Sequence, residues 1–187
     1  MGFLKSIFGS SRRITASNPL TIESPRIGFF NLMGAPAESI FIQDKEAIAP
    51  LFSAMRVTET CPPICDVLMI YANVGSDGRI VGTADGLREI IRNGNAPIVV
   101  VASENEPNRL IAAAKPVGYG QANLVLTLKR NGTAFPTFFS ALFSSMYRGI
   151  TMPNAWIKLA PQIPRAKHDN CPETIFSAEI SHIVFRR

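Results

Sequence analysis

The sequence predicts an α/β fold of three layers, with a mostly parallel sheet and helices on both faces. Three observations carry that prediction. The segments "DVLMIYAN" (66–73), "APIVVVAS" (96–103) and "ANLVLTL" (122–128) are near-continuous apolar runs, the pattern of strands covered on both sides. A stretch with helical spacing of apolar residues separates each run from the next. Alternation of strand and helix then calls for right-handed crossovers, which lay successive strands parallel.

Each element has its own local signal. "RIGFFNL" (26–32) reads as the first strand and "SIFIQ" (39–43) as a second. Asp44 is placed to cap a helix running to about Met55, because Ile48, Leu51, Phe52 and Met55 fall at i, i+3, i+4 and i+7. After the strand at 66–73, the turn "VGSDGRIVG" (74–82) leads to a helix from about Ala84 to Arg92. Thr83 is its expected cap, Leu87, Ile90 and Ile91 its buried side, and Asn93-Gly94 its stop. Pro107 starts a short helix through about Ala114, ended by Pro116 and two glycines. Pro136 opens the strongest helix, on which Phe138, Phe139, Leu142, Phe143, Met146 and Tyr147 make one apolar stripe before Gly149 ends it. A further helix begins at Pro153, and "ETIFSAEISHIVF" (173–185) alternates as a terminal strand or hairpin arm would.

The chain has 187 residues, enough for one domain with a substantial core, which we assign to residues 25–187. Residues 1–24 are expected to form a separate N-terminal segment, amphipathic or flexible. A hydrophobic fraction of 47% against 18% charged, with 12 Phe, is too apolar for a disordered chain. No stretch approaches the roughly 18 apolar residues of a spanning helix. The net charge of +5 sits partly at the ends, in Lys5, Arg12, Arg13, Arg186 and Arg187, with no basic cluster interleaved with aromatics, so no nucleic-acid partner is expected. Phe3, Leu4, Ile7 and Phe8 at helical spacing make residues 1–13 a candidate segment for contact with a membrane surface or a partner, and Gly2 and Ser6 fit a short myristoylation pattern. An odd set of three cysteines, Cys61, Cys65 and Cys171, suggests a reducing, cytoplasmic location. The Cys61-Pro-Pro-Ile-Cys65 spacing has only His168 and His182 to complete a metal site, so structural thiols and no metal are expected. No cofactor is expected either: there is no P-loop, and Gly118-Tyr119-Gly120 precedes a strand where a dinucleotide fingerprint must follow one.

In a parallel sheet the chemistry collects beyond the carboxyl ends of the strands. Two such ends share one crevice: Asn73, Gly75, Ser76 and Asp77 after the first apolar run, and Ser103, Glu104, Asn105 and Glu106 after the second. Nucleophilic catalysis there needs a base beside a Ser or Cys, and neither end carries His. His168 reads as a loop residue and His182 as a strand residue. Asp77, Glu104 and Glu106 form the alternative, a set of acids able to divide acid and base roles. Glu104 or Asn105 also fits as the cap of the Pro107 helix.

The order and spacing of "DVLMIYANVG", "APIVVVASENEP", "RLIAAAKPVGYGQANLVLTL" and "FFSALFSSMYRGITMPNAWIKLA" resemble the carboxyl half of a CHAT domain over residues 64–160. The CHAT domain is a caspase-like cysteine-peptidase fold found in bacterial and other proteins. The resemblance implies a caspase-like sheet in which one strand ends in His-Gly and the next in a turn bearing the catalytic Cys. This chain has Asn73-Val74-Gly75 at the first place and Glu104 after Ala102-Ser103 at the second. Neither residue can act as imidazole base or thiolate, so no catalytic residue is expected. Response-regulator receivers offer a second resemblance, with Ser103 and Lys129 at the ends of the fourth and fifth strands. The acids a receiver needs are replaced by the Asn31-Leu32-Met33 end and by Asn73.

The expected function is therefore a non-catalytic, pseudo-peptidase domain that binds a protein or peptide partner in its strand-end crevice. A hydrolase built on the crevice carboxylates and a degenerate receiver-like signalling domain are the alternatives.

Overall fold

The computed structural model of this chain describes residues 19–34, 38–114, 122–129, 133–159, 173–178 and 182–187. Strands β1 (Leu20–Glu23) and β2 (Arg26–Asn31) lead to helix α1 (Glu38–Ile48), then to strands β3 (Ala54–Thr58) and β4 (Val67–Tyr71). Helix α2 (Leu87–Gly94), strand β5 (Ile98–Ala102), helix α3 (Pro107–Ala114) and strand β6 (Asn123–Lys129) follow in alternation. The chain continues through helices α4 (Ala134–Tyr147) and α5 (Met152–Leu159) to strands β7 (Glu173–Ala178) and β8 (Ile183–Arg186).

Six strands make one sheet in the order β3-β2-β4-β5-β6-β7. The first five are parallel and β7 pairs antiparallel with β6. Numbered by their own sequence, the parallel strands run 2-1-3-4-5, the order of doubly wound sheets of the flavodoxin type. The alternation of side chains along each strand divides the core into two layers. Val67, Met69 and Tyr71 of β4 join Val100 of β5 and Val125 of β6 beneath Phe41 and Ile48 of α1 and the Phe135–Met146 side of α4. Leu68 and Ile70, with Val99 and Val101, face Leu87 and Ile90 of α2 and Leu110 of α3 on the other side. Every residue of β4 and of β5 is buried, and each large apolar side chain so covered contributes about 2 kcal/mol. The three-layer α/β architecture is thus established. Among the described residues no helix is long and apolar enough to cross a membrane.

Several local expectations change. "SIFIQ" lies inside α1, where Phe41 and Ile48 face the core seven residues apart; five residues could not distinguish the two periods. Asp44 does not cap a helix but sits fully buried within α1, its carboxylate accepting the Tyr71 hydroxyl at 3.1 Å. The helix does not reach Met55, because Pro50 tightens the chain into a 3-10 turn over Ala49–Leu51 and Met55 belongs to β3. Helix α2 starts at Leu87, not Ala84. Thr83 accepts the Asp85 N–H at 3.2 Å, while Glu89 reaches back to the Gly86 N–H at 3.3 Å, so Glu89 closes the helix start. Its stop is Asn95, held at φ 44°, one residue beyond the expected pair. The aromatic stripe on α4 is core, with Phe139, Leu142, Phe143 and Met146 wholly buried. The terminal segment forms two strands: β7 at the sheet edge, and β8 in a separate two-stranded sheet with β1, paired in parallel from Leu20↔Ile183 to Glu23↔Arg186. Residues 20–23, assigned to the N-terminal segment, therefore pair with the end of the domain. Residues 1–18, including Phe3, Leu4, Ile7 and Phe8, lie outside the described residues.

The crossover from β3 to β4 contains no helix. The Cys61–Cys65 segment covers β2 instead, and it does so closely. A Cβ on Gly28 would lie 2.5 Å from Pro63 Cγ and 2.7 Å from Cys65 Sγ, so only glycine fits beneath this turn. Cys61 is exposed and Cys65 buried, and neither is in a disulfide. Burial, and after it the Asp66 carboxylate, pushes the Cys65 thiol from 9.0 up to about 12.

This turn can be tested in two ways. Gly28→Ala should lower the unfolding free energy by about 2 kcal/mol in urea denaturation, through overpacking against Pro63 and Cys65. The raised Cys65 value means that the unfolded thiol ionises first as pH rises, so the stability it contributes is full below pH 9 and declines from there to about 12. A Cys65→Ser variant should lack that share of the alkaline loss; an identical slope in both proteins would refute the assignment.

Candidate functional site

The crevice forms where β4 and β5 end side by side, with Tyr71 paired to Ala102. Beyond those residues the two chains stay joined through side chains. Asn105 turns back across the gap: its Oδ1 accepts the Val74 N–H at 2.6 Å and its Nδ2 donates to the Val74 carbonyl at 2.7 Å. One amide thus reproduces both bonds of a sheet ladder after the ladder has ended. The Ser103 hydroxyl donates to the same Oδ1 at 2.6 Å, and its oxygen accepts the Asn105 N–H at 3.1 Å. From the opposite side Asn73 Oδ1 accepts the Glu104 N–H at 3.0 Å and lies 3.3 Å from Ser103 Oγ. Having one proton, the hydroxyl serves the shorter Asn105 contact.

The arrangement decides what Ser103 can do. It is 2% exposed, and both faces of its oxygen are taken by Asn105. Nothing beside it can remove its proton, since an amide oxygen is not a base near neutral pH. The site residues named from sequence divide accordingly. Asn73, Ser103 and Asn105 meet in one network with the Glu104 backbone, whereas the Glu104 side chain is exposed. Asn105 does not cap α3; the Glu106 carbonyl opens that helix by accepting the Arg109 and Leu110 N–H groups, each at 3.1 Å. Gly75, Ser76 and Asp77 belong to a small ribbon over residues 74–86, fastened by the bridges Val74↔Ile80 and Arg79↔Gly86. Asp77 folds over Gly75 and accepts the Arg79 N–H at 3.1 Å.

Among the described residues, no three of His, Cys, Asp and Glu stand together as metal ligands. His182 is exposed just before β8, its carbonyl accepting the Leu20 N–H. His168, Cys171 and the Gly118–Gly120 segment lie outside the described residues. Asn31 and Asn73, where a receiver requires acids, stand at the ends of the first and third parallel strands; Ser103 follows the fourth and Lys129 closes the fifth.

Beside the network, a groove of about 610 Å³ runs between the ribbon and the first turns of α2 and α3. Gly75 and Asp77 form one wall, and Arg79, Arg88 and Arg109 project into it. These arginines escape a reading of the sequence, because they come from three segments and make no contiguous basic cluster. Their shared signal is position: each falls in the loop or first helical turn that follows a buried strand.

No family model matches the chain, and a search of curated proteins gives no match.

The network predicts a separable effect at two amides. Asn105→Ala should destabilise the protein by about 2 kcal/mol, because the Val74 N–H and carbonyl lose their partner in a part-buried place. Hydrogen exchange should accelerate at Val74 while Glu104, held by Asn73, keeps its protection. Equal acceleration at both would mean that the strand ends open as one unit.

Proposed function

We propose that this chain is a non-catalytic, caspase-like binding domain that engages a protein or peptide partner along its strand-end crevice. The observation that carries the reading is the contact between Asn73 Oδ1 and the Glu104 N–H at 3.0 Å. In the CHAT resemblance those two positions hold the imidazole base and the thiolate. Here a neutral amide stands at the first and an exposed carboxylate at the second, and the amide oxygen is held by the Glu104 backbone N–H, not by its side chain. An amide and a carboxylate supply neither the nucleophile nor the base of a cysteine peptidase. The same bonds make the crevice rigid, which lowers the entropic cost of receiving a partner.

The partner surface on this reading is the rim: Ser76, Asp77 and the Glu104 side chain, all exposed above the part-buried network. Exposed polar side chains at the mouth of a hydrogen-bonded turn suit recognition of an extended peptide.

A photoreactive residue at Ser76 tests this in cells. It should crosslink a discrete protein, and the pair Asn73→Ala with Asn105→Ala, which loosens the rim, should abolish capture. A photoreactive residue at Arg56, exposed on edge strand β3 away from the crevice, should capture nothing. Glu104→Gln should change capture by no more than a few-fold, and the purified chain should not turn over peptide substrates. Hydrolysis that Glu104→Gln abolishes would replace the binding reading with a carboxylate hydrolase.

A further inference from the structure

The groove beside the ribbon carries more positive charge than its walls use. Three arginines, Arg79, Arg88 and Arg109, face two acids, Asp77 and Glu89. Both acids are engaged locally, Asp77 with the Arg79 N–H at 3.1 Å and Glu89 with the Gly86 N–H at 3.3 Å. Arg79 stands 3.9 Å from Asp77 Oδ2, an exposed and therefore weak pair. Arg88 gives one of its donors to the Ala112 carbonyl at 3.1 Å, which ties α2 to α3 and fixes the guanidinium across the groove. The Arg109 side chain has no hydrogen bond or ion pair among the described residues. Two guanidiniums with most of their donors free thus share one concavity.

A planar guanidinium matches the oxygens of a phosphate group in a two-point fork, and a dianionic phosphate balances two such cations better than a single carboxylate does. The volume of about 610 Å³ lies within the range of small-molecule sites and leaves room for more than the phosphate. The wall beyond Arg109 is Ala112 and Ala113, short side chains that leave space for the rest of a ligand. The groove also lies beyond the carboxyl ends of β4 and β5, where ligands of parallel sheets collect.

We propose that this groove binds a soluble phosphate monoester, with its phosphate held between Arg88 and Arg109 and its organic portion along Ala112 and Ala113. The proposal goes beyond the protein-binding reading and does not rest on it, although Ser76 and Asp77 belong both to the groove lining and to the proposed partner rim.

The test is a titration of the full chain with ribose 5-phosphate, followed by amide chemical shifts. Saturable shifts at Gly75, Gly78, Gly86 and Arg109 are expected, with none from ribose or from potassium chloride at matched ionic strength. Arg109→Gln should weaken binding about tenfold while the spectrum stays that of a folded protein, because this exposed side chain makes no bond within the described fold. Arg56→Gln, on edge strand β3 and outside the groove, should bind as the parent does. Shifts that chloride reproduces, or an unchanged affinity in Arg109→Gln, would overturn the proposal. So would attachment to vesicles of phosphatidylcholine and phosphatidic acid without binding of ribose 5-phosphate, since the monoester recognised would then be a lipid headgroup.

Discussion

Two adjacent strands with no solvent-facing side, β4 and β5, constrain everything else in this molecule. Each of their side chains is covered by one helical layer or the other. A polar side chain within them would need its hydrogen bonds satisfied in an apolar interior, and unpaired groups there are costly. Chemistry is therefore pushed to the first residues beyond the strands, where Asn73 and Ser103 stand. Even there the burial persists: Ser103 is nearly inaccessible, and the network around it supplies partners to the Val74 N–H and carbonyl, the Glu104 and Asn105 N–H groups and the Ser103 hydroxyl as they leave the ladder. The polar turn after "IVVVA" is in this sense a structural solution first, and it leaves little freedom for a reacting group.

The two layers are not equally built. One side carries α1, α4 and α5 with a chain of aromatic contacts from Phe29 through Phe41, Tyr71, Phe135 and Phe139 to Phe143 and Phe185. Among the described residues the other carries α2 and α3, and a proline turn stands where the β3-to-β4 crossover lacks a helix. Edge-to-face and tilted ring pairs add specificity to the first side beyond the area they bury. The groove described above lies on the second side, against α2 and α3.

What the sequence made legible follows from how local the cause is. Strands β4 and β5 were readable because burial on both faces writes itself into every residue, β6 because the same apolar run covers Asn123–Thr127, and α4 because its Phe and Leu positions repeat the helical period along its length. The crevice was readable as a place, since strand ends locate it. The roles inside it were not: Asn105 bonds to Val74, 31 residues earlier, and nothing near Asn105 distinguishes that from capping the helix it precedes. Asp44 is a similar case, a residue type common at helix starts that is instead held in the core by a hydroxyl from β4. The β1–β8 pair was hidden because its four-residue strands lie near opposite ends of the chain and share no local pattern.

That last pairing has a mechanical consequence. Strands β1 and β8 run in the same direction, so tension entering at Leu20 and leaving at Arg186 acts at opposite ends of the pair. The load falls along the strands and is shared by all their cross-strand bonds at once, from the Leu20 N–H on the His182 carbonyl to the Ser24 N–H on that of Arg186. Bonds loaded in shear must fail together, whereas those of an antiparallel hairpin pulled at its open end break in succession. A short two-stranded sheet, anchored to the core through the buried Ile183 and Phe185, thereby serves as a clasp, keeping the six-stranded body unloaded until the clasp gives way.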